Sequence, residues 1–152
     1  MMVLGIDPGR DKIGWALASD SGDLLLSGIC HVLDQELFLT ALTLKPACWE
    51  RELSPWLLEF KTPFSHQGEL SLVAVGNGTK SQESVQLFKR LGIQVAVVNE
   101  KGTTLEALEL YWDFHPPSWW QRCLPRVMRF PSRPLDDLAA LIIARRGLEV
   151  FK

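Results

Sequence analysis

The chain has 152 residues and a formal net charge of −2, and 47% of its residues are hydrophobic. A chain of this length typically forms one domain that buries about 70% of its unfolded surface, so a single domain over residues 1–152 is expected. No apolar run approaches the ~20 residues of a membrane span, and the acidic balance opposes a uniformly basic nucleic-acid surface. The scattered cysteines match neither a disulfide framework nor a zinc motif and favour a cytoplasmic location; they are Cys30, Cys48 and Cys123.

The first predicted elements are two strands joined by a tight turn. Residues 2–6 are apolar and lead into Asp7, and Pro8 followed by Gly9 favours a type II turn. The next strand alternates a bulky face with a flat one: Ile13, Trp15 and Leu17 against Gly14, Ala16 and Ala18. At the end of a strand, Asp7 either contributes to a metal or phosphate site or starts the turn through its own side chain.

The following segment predicts one strand and two helices. Residues 24–29 are expected to close an antiparallel meander with the first two strands. Residues 34–44 and 49–60 read as helices separated by Lys45-Pro46, and Pro55 allows the second helix to start near residue 54. The aromatic residues at roughly helical spacing are expected in the core; they are Trp49, Trp56 and Phe60.

The second half of the chain predicts two parallel strands and three helices. The strands cover residues 72–75 and 93–99, and the helices begin at residues 81, 105 and 134. Gly76 and Gly78 follow the first of these strands and either let the backbone pass close to a site or form a simple turn. Right-handed crossovers would place both strands parallel in the sheet.

Carboxylates lie at the ends of several of these elements. Glu100 directly follows an apolar strand, and neighbouring parallel strands end together about 4.8 Å apart, so we expect Glu100 near Asp7. Glu100 could instead be a solvated turn residue. Asp136 and Asp137 open the last helix, where acids cap exposed N–H groups. Helix neighbours point about 100° apart, so one of them can cap while the other faces a site; Asp136 is the first choice as ligand.

Basic and hydroxyl side chains accompany these acids. Arg10 and Lys12 lie in the turn after Asp7, where a backbone phosphate would approach. Thr104 starts the helix after Glu100 and either caps that helix or contacts substrate, capping being preferred.

The segment 114–135 contains no Asp or Glu. It is rich in proline, which opposes a long helix, and a loop of more than ~15 residues is usually functional or disordered. It holds Trp119 and Trp120 together with four arginines: Arg122, Arg126, Arg129 and Arg133. Arginine for phosphates and tryptophan for stacking are typical of single-strand binding. Alternatively the tryptophans fix the loop and the arginines are merely solvated; we expect tryptophans as anchors and arginines towards a ligand.

Four motifs in order span nearly the whole chain. They are Gly-Ile-Asp-x-Gly-x-x-x-Ile-Gly-x-Ala from residue 5, Gly-x-Gly-Thr from residue 76, Asn-Glu-x-x-Thr-Thr-x-x-Ala from residue 99 and Asp-Asp-x-Ala-Ala from residue 136. Together they resemble the RuvC/YqgF (RuvX) family of Holliday-junction-resolvase-like nucleases. The resemblance implies an α/β ribonuclease H-like fold: a mixed sheet of an antiparallel three-strand meander plus parallel strands, with helices on both faces.

The resemblance also implies a nuclease that depends on Mg²⁺ or Mn²⁺. Asp7, Glu100 and Asp136 would be the ligands, with Asp137 as the second choice. Two hard cations about 4 Å apart can activate a water and stabilise the leaving oxygen of a phosphodiester. The YqgF branch implies maturation of the precursor of small-subunit ribosomal RNA, hence RNA in preference to DNA, and ribosomal precursor particles as partners.

Other functions remain open at this stage. One is a Holliday-junction-resolvase-like DNA nuclease, and another is a catalytically weak nucleic-acid-binding or assembly factor of the same fold. A phosphate-binding ATPase or kinase half-domain ranks last, because those proteins close two such domains on a nucleotide. We expect a monomer or weak homodimer without a membrane partner.

Overall fold

The computed structural model describes residues 1–61 and 68–152, in which six strands form one sheet. The strands are β1 (Met2–Pro8), β2 (Lys12–Ser19), β3 (Leu24–His31), β4 (Leu57–Phe60), β5 (Leu70–Gly76) and β6 (Gln94–Val98). Their order across the sheet is β4-β3-β2-β1-β5-β6. The pairs from β4 to β1 are antiparallel, whereas β1, β5 and β6 run parallel to one another.

Six α-helices accompany the sheet. They are α1 (Gln35–Leu42), α2 (Pro46–Glu52), α3 (Ser81–Arg90), α4 (Thr103–Phe114), α5 (Trp119–Arg122) and α6 (Asp136–Phe151). Short 3₁₀ turns cover Val32–Asp34, Ser54–Trp56 and Arg126–Met128. Within the described part of the chain, no helix is long and apolar enough to cross a bilayer.

Strand alternation divides the core into two layers. Leu4 and Ile6 of β1 face α1 and α3, where they meet Phe38 and Phe88. Val3 points to the opposite face, and its layer includes Ala140 of α6. Helices therefore cover both faces of a mixed sheet, and the predicted α/β ribonuclease H-like fold is confirmed.

The flat face predicted for β2 receives α6. A Cβ on Gly14 would lie 2.1 Å from the carbonyl oxygen of Asp136, and a Cβ on Gly5 of β1 would lie 1.9 Å from that of Ala140. Neither contact is physically allowed, so α6 can reach the sheet only where these side chains are missing. The bulky face of β2 packs on the other side, where Trp15 is fully buried against Phe38.

The turn after β1 differs from the prediction. A type II turn needs a positive φ at Gly9, but the glycines with positive φ in the described residues are Gly22, Gly68, Gly92 and Gly102. Strand β1 continues through Pro8, so the turn is formed by residues 9–11. Gly9 is needed there for space, because a Cβ would lie 2.3 Å from the carbonyl oxygen of Lys12.

The predicted helix over residues 49–60 is only partly correct. Helix α2 ends at Glu52, and residues 57–60 form the edge strand β4, because pairing with β3 overrides the helical spacing. Trp49 is buried and Trp56 packs edge-on against Phe38, as expected for core residues. Phe60 is 37% exposed and does not belong to the core.

Replacement of Gly5 by Ala tests the close approach of α6. The new methyl group would collide with the helix backbone, and overpacking of this kind costs about 1–3 kcal/mol or more. We expect G5A to lower the free energy of unfolding in urea by at least that amount. A Cβ on Gly92 meets nothing within 4 Å, and Asn tolerates its φ of 74°, so G92N is the control and should change stability little. Equal stability of both variants would contradict this packing.

Candidate functional site

Asp7 and Asp136 meet where α6 begins. Asp7 lies on the same face of β1 as Val3 and Gly5, because every second residue of a strand points to the same side, and it therefore faces α6. Its register partner on β2 is Gly14, and a Cβ there would lie 2.9 Å from the Cβ of Asp136. The missing side chain of Gly14 thus leaves the space that Asp136 occupies next to Asp7.

Glu100 reaches the same corner across β5. The expectation that its strand neighbours β1 is wrong, because β5 lies between β1 and β6. The gap is bridged by the side chain of Glu100, whose carboxylate lies over two glycines after β5. A Cβ on Gly76 would lie 2.8 Å from its Oε2, and one on Gly78 would lie 2.7 Å from its Oε1. These glycines therefore make room for the carboxylate, in addition to forming a turn.

The backbone around Glu100 is held by two residues that sequence reasoning missed. The Glu100 N–H donates to Oδ1 of Asn77 at 3.1 Å. Arg146 of α6 donates to the carbonyl oxygens of Asn99 and Lys101, on either side of Glu100, at 2.5 and 2.9 Å. Asn77 had been assigned to a turn, and nothing in the sequence distinguishes Arg146 from other polar residues of its helix. Glu100 is accordingly fixed to both β5 and α6.

The three carboxylates interact electrostatically. The pKa of Asp7 is raised to about 7. Burial is the largest cause, followed by repulsion from Asp136 and then from Glu100. Part of the charge is balanced by Lys12, whose Nζ lies 3.2 Å from Oδ2 of Asp136. The corner therefore concentrates negative charge that a bound cation would relieve.

An open cleft of about 340 Å³ lies beside this corner. It is lined by Asp7, Lys12, Thr104, Pro131, Arg133, Pro134, Leu135, Asp136 and Ala139. Thr104 does not cap α4, because the N-cap is Gly102 and its φ is 79°. Thr104 instead lies on the cleft wall with an exposed side chain. Arg10 diverges from Lys12 and lines a small cavity near Lys80 and Glu83.

Asp137 lies away from the cleft. It is fully buried, it accepts a 2.7 Å hydrogen bond from Ser27, and it pairs with Arg133 at 2.7 Å. Neither it nor Asp136 caps α6, since the N-cap is Leu135 and no side-chain cap hydrogen bond forms. The capping expectation was therefore wrong. With both oxygens engaged inside the protein, Asp137 is placed as a structural acid and not beside Asp7.

The ion pair of Asp137 extends into a chain of charges. Arg133 also contacts Glu59 of β4 at 2.6 Å, and Glu59 in turn contacts His115 at 2.5 Å. Burial alone would raise the pKa of Glu59, but hydrogen bonds from His115 and Arg133 hold it below its ordinary value. Sequence reasoning missed Glu59 because residues 57–60 were assigned to a helix. It missed Ser27 and His115 because neither belongs to a motif.

The segment 114–135 reverses the predicted roles of its tryptophans and two of its arginines. Trp119 is 80% exposed and Trp120 is 55% exposed, so neither anchors the loop. Arg129 does so, because it donates to the carbonyl oxygens of three loop residues: Gln121, Leu124 and Arg122. Arg133 anchors the end of the segment to Asp137.

The remaining two arginines of this segment are exposed. Arg122 donates one hydrogen bond to the carbonyl of Pro117 at 3.2 Å. Arg126 forms no ion pair or side-chain hydrogen bond with the residues that the structure describes. The two arginines that remain available to a ligand are therefore Arg122 and Arg126.

The donor chemistry of the acidic corner fits a hard divalent cation. Asp7, Glu100 and Asp136 offer only carboxylate oxygens, which Mg²⁺ and Mn²⁺ prefer, and one side of the corner opens to the cleft. Among the described residues, no three His, Cys, Asp or Glu side chains form a ready-made metal-binding group. Cation binding would therefore require side-chain rearrangement, including release of Lys12 from Asp136.

Comparisons with known proteins identify similar folds only. No protein-family model matches the sequence, and no curated protein matches it. The chain is similar to Thermus thermophilus RuvC solved with a Holliday junction substrate, with a TM-score of 0.44, 16% identity, and 95% of this chain and 90% of that chain covered. Another Thermus thermophilus RuvC structure gives a TM-score of 0.39 and 14% identity at the same coverage.

A glucokinase of the ROK family from Streptomyces griseus, solved with glucose and AMPPNP, is also similar. Its TM-score is 0.36 at 13% identity, over 74% of this chain and 36% of that chain. The functional assignment below therefore depends on the geometry of the acidic corner and on the motifs of the sequence.

Replacement of Asp7 by Asn should stabilise the metal-free protein in a pH-dependent way. The folded-state pKa of about 7 lies above the ordinary value of 3.8, so the folded state binds the proton more tightly. Ionised Asp7 therefore destabilises the fold. This effect is absent below pH 3.8, grows between pH 3.8 and pH 7, and is complete above pH 7. D7N should raise the free energy of unfolding by up to about 4 kcal/mol at pH 8 and by almost nothing near pH 4. A difference that does not change with pH would refute this interpretation.

Replacement of Asp137 by Asn should strongly destabilise the fold. The substitution breaks a buried ion pair and leaves Arg133 with Glu59 as its remaining carboxylate, and breaking such a pair costs about 3–5 kcal/mol. The adjacent D136N is the matched control: its pair with Lys12 is partly exposed and contributes at most about 1 kcal/mol. Urea unfolding of both variants measures the contrast, and similar losses would show that Asp137 is not the structural acid.

Proposed function

We propose that this chain is a divalent-metal-dependent nuclease that hydrolyses phosphodiester bonds in structured nucleic acid. The observation that supports this most directly is the convergence of three carboxylates, Asp7, Asp136 and Glu100, close enough that the last two raise the pKa of Asp7. They come from separate elements, β1, α6 and the loop after β6, and lie at a corner that opens into a cleft. Acids concentrated in a cleft with a perturbed pKa are typical of functional sites.

The side chains of the corner have distinct roles in this proposal. Asp7, Glu100 and Asp136 would hold Mg²⁺ or Mn²⁺, which supplies water activation and stabilises charge on the leaving oxygen. Lys12 leaves its contact with Asp136 and binds a non-bridging phosphate oxygen. Thr104, which also lines the cleft, donates to the same phosphate and orients it. Pro131 and Pro134 limit the cleft and restrict water around the reacting group.

The substrate class follows from the motif resemblance. The four ordered motifs resemble the RuvC/YqgF (RuvX) family, and its YqgF (RuvX) branch would give this chain a role in processing the precursor of small-subunit ribosomal RNA. RNA is then preferred to DNA, ribosomal precursor particles are the partners, and the protein acts in the cytoplasm as a monomer or weak homodimer.

A second candidate is a nucleic-acid-binding or assembly factor with weak catalysis. The observation that favours it is the ion pair between Lys12 and Asp136, which already engages one proposed ligand. Such a protein would bind structured RNA without turning it over.

Cleavage assays separate these functions. Wild-type protein with Mn²⁺ should cleave a structured RNA in preference to a four-way DNA junction. D7N, E100Q and D136N should each lower the rate by at least ~100-fold, equivalent to about 2.7 kcal/mol. Glu109 is exposed on α4 and lies outside the cleft, so E109Q is the control and should retain full activity.

The outcomes have different meanings. Preferential junction cleavage would replace RNA by DNA as the substrate. Binding without cleavage at any Mn²⁺ concentration would refute the nuclease and favour the nucleic-acid-binding or assembly factor. Cleavage that survives D7N and E100Q would refute the acidic corner as the active site.

A further inference from the structure

Segment 118–130 exposes an unusual amount of apolar surface. Trp119 is 80% exposed, Val127 is 84% exposed and Phe130 is 76% exposed, while Trp120 and Met128 are each 55% exposed. Contiguous exposed apolar surface on a soluble domain typically marks an interaction site. Of the other four tryptophans, Trp15 and Trp49 are buried and Trp56 and Trp112 are partly buried.

The exposure is a feature of an ordered segment. Ser118 and Gln121 form a capping box at the start of α5. The guanidinium of Arg129 fixes the following backbone through its three carbonyl contacts, and Arg133 fastens the segment to the core. The tryptophans are therefore presented outwards by a scaffold, which lowers the entropy cost of binding a ligand.

The segment runs directly into the cleft. The residues that follow it, Pro131, Arg133, Pro134 and Leu135, line the cleft wall beside Asp7 and Asp136. Phe130 is five residues from Leu135, so the exposed patch begins within ~18 Å of the cleft. A polymer bound at the acidic corner can extend onto the exposed tryptophans.

The positive charge of this region favours a polyanionic polymer. The region 114–135 has no acid, and Arg122 and Arg126 are exposed beside the tryptophans. The neighbouring groove of about 670 Å³ between this segment and α4 contains Glu109 and Asp113, whose charges are offset there by Arg126 and Arg129. Trp119, Trp120 and Arg122 are exposed outside this groove lining, and aromatic faces beside a cation match a chain of phosphates and unstacked bases.

We infer that Trp119 and Trp120 stack on unpaired nucleotides that lead away from the cleft, so that the substrate is a duplex with a single-stranded tail. This inference rests on the proposed function. Neighbouring residues of a helix point about 100° apart, so the two rings contact different nucleotides. Arg122 and Arg126 bind the intervening phosphates.

The test compares an RNA hairpin carrying a six-nucleotide tail with the same hairpin lacking it, by fluorescence anisotropy. Wild-type protein should bind the tailed hairpin more tightly. W119A should weaken that binding about 5- to 150-fold and leave the affinity for the blunt hairpin unchanged, whereas W119F should retain most of the affinity.

R122Q and R126Q should each lower the slope of log affinity against log salt by about one. L33A removes a side chain that is 88% exposed on another surface and should have no effect.

Thermal unfolding of W119A should match the wild-type protein, because Trp119 makes little internal contact. Equal affinity for both hairpins, or unchanged binding by W119A, overturns the inference. Self-association that W119A abolishes without a change in RNA affinity also overturns it and identifies a protein contact. Cleavage measured on both hairpins keeps the two proposals apart. Tail-dependent binding without cleavage refutes only the nuclease function, and cleavage without tail preference refutes only the stacking of Trp119 and Trp120 on the tail.

Discussion

The close approach of α6 to the sheet is the constraint on which the site depends. Gly5 and Gly14 leave the space into which the helix backbone fits, with carbonyl oxygens where side-chain carbons would otherwise be. This contact sets the position of Asp136, the first residue of α6, relative to Asp7 at the end of β1. Gly76 and Gly78 do the same for Glu100 on the other side. The acidic corner thus forms because glycines on β1, on β2 and at the end of β5 have no side chains to fill this space.

Two adjacent acids on α6 illustrate how burial separates structural from functional charge. Asp137 is buried and is compensated by Arg133 and Ser27, which is the condition for a stable buried ion. Asp136, one residue earlier, is partly exposed and faces Lys12 and the cleft. The compensated acid fixes the start of the helix and the end of the arginine-rich segment together. The corner next to it is compensated only in part by Lys12 and retains electrostatic repulsion that a cation can relieve.

Several features of the site could be predicted from residues close together in the sequence. The alternation of Ile13, Trp15 and Leu17 with small residues predicted both faces of β2, because strand period is local. Glu100 and Asp7 were recognised because each follows an apolar run of predicted strand residues. The roles of Trp119 and Arg129 were predicted in reverse, since hydrophobicity alone assigned the tryptophans to the core. Burial depends on what packs against a segment, and the carbonyls around Arg129 provided a better anchor.

Short-range patterns in the sequence predicted the strand ends that carry acids and the small-residue face of β2, and the resemblance of four ordered motifs predicted the ribonuclease H-like fold class. The tertiary structure alone decided which of Asp136 and Asp137 faces the cleft, that β5 separates β1 from β6, and that Arg146 holds the backbone around Glu100. It also paired Glu59 with Arg133 across 74 residues of chain. Such contacts join residues that are distant in sequence, and their geometry is fixed only when the sheet and α6 have packed together.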